Sequence, residues 1–129
     1  MPKHGHVHWT ELNTREPAKA AAFYASVLGW DIAEMEMPDG QGTYRIGQRG
    51  DDRVAGIFEM QGPEFEGMPD HWLSYFAVAD ADAAASAIAA AGGQVLRPAF
   101  DVPGVGRILI VRDATGAVCG MMQPSEGAE

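Results

Sequence analysis

The chain has 129 residues, 47% of them hydrophobic and 21% charged, with a formal net charge of −9. That length suits one ordinary domain able to stand without a disulfide or structural metal, and the scattered Lys and Arg offer no basic patch for nucleic acid or a membrane surface. The single cysteine, Cys119, rules out an internal disulfide and fits a reducing, cytoplasmic setting.

The first residues, Met1 to His6, are polar with one lysine and lead into no long apolar run, so they do not read as a signal peptide. His4, His6 and His8 alternate, but at a frayed end they do not make a designed metal site. A strand is expected over Val7 to Thr14 and a helix over 17–28. Pro17 suits the first helical position, Glu16 precedes it as a poor N-cap, and Gly29 is placed to end the helix. Ala20, Phe23, Tyr24, Val27 and Leu28 fall at helical spacing and predict one buried apolar stripe. Three strands are expected next, at Trp30 to Met37, Gly42 to Gln48 and Val54 to Met60. Pro38-Asp39-Gly40 and Gly50-Asp51-Asp52 read as the turns between them.

Gln61 to Asp70 reads as an exposed linker, rich in Gly, Pro and acid. A second strand–helix–three-strand series follows. Its strand is Trp72 to Val78 and its helix covers 81–92, with Asp80 as N-cap, Ala84, Ala87, Ile88 and Ala91 as the buried stripe, and Gly92-Gly93 as the stop. The alanine-rich stretch is too short to cross a bilayer. The last three strands are Gln94 to Asp101, Gly106 to Arg112 and Val118 to Gln123. Pro103-Gly104 and Asp113 to Gly116 are the turns between them. Cys119 sits in an apolar run and reads as a buried structural thiol.

The two halves align without a gap at an offset of 64 residues, Leu12 on Phe76, Gly29 on Gly93, Gly56 on Gly120. The expectation is an α+β chain: a single domain, 1–129, of two βαβββ repeats, 7–60 and 71–124, joined by the linker 61–70.

With that pattern, Glu16-Pro17, the run Phe23-Tyr24 to Leu28-Gly29-Trp30, and the closing Arg112-Asp113-Ala114-Thr115-Gly116 resemble the vicinal oxygen chelate superfamily. This is the glyoxalase, bleomycin-resistance and dioxygenase group. Ala114 replaces that family's turn proline. The resemblance implies two βαβββ modules in tandem, curled into an incomplete barrel around a cavity, and often a homodimer. It also implies four metal-ligand positions, which here fall on Trp9, Gly56, Leu73 and Gly120. None of these side chains can ligate a divalent ion, so neither metal nor cofactor is expected. Glu59 and Gln123, three residues beyond the glycines, should point to the opposite face.

Strand alternation around those positions nominates Trp9, Glu11, Phe58, His71, Tyr75 and Met122 as pocket residues. Glu11 is notable, because a mid-strand carboxylate needs a partner, either a ligand or an arginine such as Arg107. Three functions stay open. One is metal-independent binding of a small apolar, aromatic or cationic molecule. Another is a related lyase or isomerase using Glu11 or His71 as base. The third is a structural or partner-binding domain. The residues do not name the ligand.

Overall fold

The computed structural model describes residues 3–37, 42–102 and 105–125. Among them are eight strands and two α-helices, an α+β content in the order β1 (Val7–Thr14), α1 (Pro17–Leu28), β2 (Asp31–Glu36), β3 (Thr43–Arg49), β4 (Asp52–Glu59), β5 (His71–Ala77), α2 (Ala81–Ala90), β6 (Gln94–Val102), β7 (Gly106–Arg112) and β8 (Val118–Pro124). No described helix is long and apolar enough to cross a membrane. By contacts the chain forms two compact units, Trp9–Trp72 and Leu73–Glu129 with Met1–His8. The expected turns Pro38-Asp39-Gly40 and Pro103-Gly104 lie outside the described residues.

In the first unit the strand order is β2-β3-β4-β1. β1 pairs parallel to β4, which a helical crossover permits, with Glu11 opposite Gly56 and Asn13 opposite Phe58. The other pairs are antiparallel. One sheet face receives α1: Leu12, Ala21 and Ile57 form its buried centre, with Ala20, Tyr24 and Ile32 packed against it. Trp30 is buried and lays its ring over Gly47, where any Cβ would collide with the indole.

The second unit repeats the order as β5-β8-β7-β6, with β5 parallel to β8 and Tyr75 opposite Gly120. Its core is Val78, Ala81, Ile88, Leu109 and Val111. Asp80 caps α2 by accepting from the Ala83 amide at 3.0 Å, and Gln123 Oε1 accepts from the Ala81 amide at 2.8 Å. Gln123 is thus turned to the helix, as its offset from Gly120 requires. The chain start also belongs here: Gly5 and His6 bond to Ala77 through backbone groups.

Both helices present a different stripe from the one expected. In α1, Phe23, Val27 and Leu28 are exposed, Phe23 by 57%; Pro17 and Ala21 are buried. In α2, Ala81 and Ile88 are buried with Ala84 and Ala85 against the core, while Ala87 and Ala91 are exposed. The apolar arc of each helix is wider than its contact strip, so hydrophobic spacing alone did not fix the rotation. α2 also ends earlier, at Ala90, with Gly92 at φ 93°. Glu16 makes no side-chain cap; the Thr14 hydroxyl accepts its amide instead, at 3.0 Å.

The segment expected as a plain linker contains a 3₁₀ turn at Pro63–Phe65 and is strapped down by Arg15. The Arg15 guanidinium donates to the carbonyls of Phe65 and Met68, both at 2.6 Å, and approaches Asp70 at 3.5 Å. Asp70 accepts from the Thr14 hydroxyl at 2.6 Å.

Candidate functional site

The first unit's second sheet face carries Trp9, Glu11 and Asn13 from β1 and Gly56 and Phe58 from β4, because alternate residues share a face and the register places them side by side. Glu11 is buried, at 9% exposure. Its partner is Tyr44 of β3, whose hydroxyl donates to Glu11 Oε2 at 2.8 Å and accepts from the Trp9 indole Nε1–H at 3.0 Å. A directional chain therefore runs from Trp9 through Tyr44 to the carboxylate. Gly56 makes it possible: a Cβ there would occupy the place of the Tyr44 hydroxyl.

Arg107, the arginine the sequence offered as one partner for Glu11, is shared between Asp101 at 3.0 Å and Asp82 at 3.1 Å. Hydrogen bonds from its guanidinium to Asp101 and then Asp82 raise its pKa further. They tie β7 to the first turn of α2.

Phe58 is half-buried and meets Phe65 of the strapped segment edge-on, with ring centroids 6.1 Å apart. Arg15 thus holds one aromatic wall in place. The Thr14 hydroxyl, then the backbone and guanidinium of Arg15, lower the pKa of Asp70. His71 is half-buried, and its Nδ1 lies 2.8 Å from the Pro69 carbonyl. A carbonyl only accepts, so the proton sits on Nδ1 and Nε2 keeps its lone pair when the ring is neutral.

In the second unit, Tyr75 and Met122 are buried and share the face of Gly120. The Tyr75 ring covers Gly120 where a Cβ would stand. In each unit a tyrosine therefore fills the space above the glycine of the last strand: Tyr44 from β3 in one, Tyr75 from β5 in the other. Trp9, Gly56, Leu73 and Gly120, the positions the resemblance assigns to a metal, carry no imidazole, carboxylate or thiolate, and Tyr44 and Tyr75 occupy the space above the two glycines. Among the described residues no three His, Cys, Asp or Glu side chains gather into a metal site.

Open clefts among the described residues lie elsewhere. One, of about 550 Å³, is lined by Glu16, Pro17, Lys19, Thr43, Arg45 and Glu59 on the helix side of the first unit. Another lies beside Gly93 and Asp113 in the second unit. Glu59 thus faces α1, away from Gly56. Cys119 is half-buried against the second unit's core, and burial, then Asp113, raises its thiol pKa. That suits packing rather than nucleophilic attack. The residue that sequence reasoning missed is Tyr44. It lies two positions before buried Ile46 on β3, but its reach to Gly56 depends on the β3–β4 register.

The sequence profile of the Glyoxalase/Bleomycin resistance protein/Dioxygenase superfamily matches residues 6–119. The chain is 44% identical over 121 residues to "Putative glyoxylase CFP32" of Mycobacterium tuberculosis, covering 94% of this chain and 45% of that protein. It is 32% identical over 134 residues to the anthracycline biosynthesis protein DnrV of Streptomyces peucetius, covering 94% and 48%. The chain therefore spans about half the length of the curated relatives it matches. Its fold is similar to that of the methylmalonyl-CoA epimerase from Mycobacterium tuberculosis. That likeness has a TM-score of 0.66 at 17% identity and covers 97% and 93% of the two chains. This protein belongs to the Glyoxalase/Bleomycin resistance protein/Dioxygenase superfamily.

Proposed function

We propose that the chain binds a small, flat, aromatic molecule with a cationic or hydrogen-bond-donating end, without a metal ion, on the sheet face bearing Trp9, Glu11, Tyr44 and Phe58. The observation that carries this reading is the buried Glu11 carboxylate, held by Tyr44 among aromatic side chains. A carboxylate so placed favours a cation or a donor, and aromatic walls favour a planar partner. The family positions that would hold a metal carry Trp, Leu and two Gly, which supports a site that works through these side chains alone. The relatives named for anthracycline biosynthesis support a fused-ring ligand. Tyr75 and Met122 hold the corresponding places in the second unit.

A second reading, catalysis, draws on His71. Its Nε2 lone pair suits a general base, and Glu11 suits a base or an anchor for the substrate's charge. Binding without turnover is the first reading, because the Tyr44 hydroxyl holds the Glu11 carboxylate as an anchor.

The test is calorimetric titration of chelator-treated protein with an aminopropyl-substituted anthraquinone, alongside thermal melting. Glu11→Gln should weaken binding about tenfold or more, the loss of one charge-assisted contact, with the melting temperature little changed. Unchanged binding with a large loss of stability would make Glu11 a structural residue and reject the site.

A further inference from the structure

Asn13 lies on the same face, two residues from Glu11 on β1 and opposite Phe58 on β4. It is 5% exposed, and its side-chain Nδ2 is buried with no hydrogen-bond partner among the described residues. Asparagine is a poor strand residue, and a buried amide donor without a partner is destabilising. A leucine or valine would suit this position better on folding grounds alone. Groups of this kind are few in native structures, and the rules they break are broken mainly at functional sites.

Resting on the aromatic-ligand reading above, we propose that Asn13 is a specificity-determining hydrogen-bond donor. Its amide N–H₂ receives a carbonyl oxygen of the bound ring system, while the ligand's cationic or hydroxyl end meets Glu11. Two residues along a strand set these anchor points roughly 7 Å apart, a spacing that a fused-ring ketone with a short amine side chain spans. Asn13 is buried, so a hydrogen bond from its amide to the ligand carbonyl forms in a weakly screening environment. A ring system without the acceptor leaves Nδ2 orphaned, so the site discriminates by the presence of the carbonyl.

The experiment compares two probes by calorimetry: an aminopropyl-substituted anthraquinone, and the anthracene carrying the same side chain but no carbonyls. The natural chain should bind the quinone at least about tenfold tighter. Asn13→Leu should bind the two alike and melt no lower than the natural chain; Asn13→Ser serves if the leucine variant does not fold. Glu11→Gln should weaken both probes and keep the quinone preference. If Asn13→Leu keeps the preference, or melts far lower, Asn13 is structural and the inference falls while the aromatic-ligand reading stands. If the natural chain binds neither probe, that reading falls and takes the inference with it.

Discussion

Gly56 is required where it stands because Tyr44 uses the space that a side chain would take. Gly56→Ala should push the Tyr44 hydroxyl off Glu11 and destabilise the first unit by about 1–3 kcal/mol, the usual effect of overpacking. Tyr44→Phe in the same chain should recover part of the loss, since the hydroxyl is the nearest atom. Melting curves of the two single variants and the double variant check this, and equal losses in the Gly56→Ala chain with and without the hydroxyl would contradict it. At this scale the sequence was informative about faces and silent about partners. Alternation on β1 put Trp9 and Glu11 together and left Asn13 beside them. It could not name Tyr44, because a residue on another strand is brought in by ladder register, and register is set by tertiary pairing. The same gap hid the partners of Arg107, which are Asp82 and Asp101.

At the scale of elements, the order of strands and helices was legible because each helix is bracketed by local signals: Pro17 and Gly29 for α1, Asp80 and Gly92 for α2. What those signals leave open is helix rotation. α1 is mostly Ala, Phe, Tyr, Val and Leu, so several stripes satisfy helical spacing, and the one chosen puts the small Ala20 and Ala21 against the sheet. Val27→Ala, on the exposed side, should change stability by no more than about 0.5 kcal/mol. Ile88→Ala, in the second unit's core, should cost about 2–5 kcal/mol. Chemical denaturation of both variants checks the assignment, and a larger loss at Val27 than at Ile88 would reverse it. The segment between the repeats shows the other limit of local reading. Its Gly, Pro and acid content suggests a loose connection, yet Arg15 reaches back across some fifty positions of sequence to its carbonyls. A long-range strap made by one side chain to backbone oxygens leaves no pattern in the segment it holds.

For the whole molecule, two units with the same strand order, β2-β3-β4-β1 and β5-β8-β7-β6 read from opposite ends, account for the 64-residue offset seen in the sequence. Each unit ends its sheet on a strand paired on one side only, β2 or β6, and we propose that two copies of this chain associate. Sedimentation at micromolar concentration should give a species of twice the 13.7 kDa chain mass; a single species at the chain mass would remove the dimer. The ligand site is the claim on which the functional account depends, and Trp9 reports on it from within, through the indole N–H that it donates to Tyr44. With three tryptophans in the chain, Trp9→Phe assigns its indole resonance in a nitrogen-15 spectrum. Titration of chelator-treated protein with the aminopropyl-anthraquinone should shift the Trp9 indole signal saturably, leaving those of Trp30 and Trp72 in place. A Trp9 signal that stays fixed at saturating ligand, or that moves only after a divalent metal is added, would contradict the account.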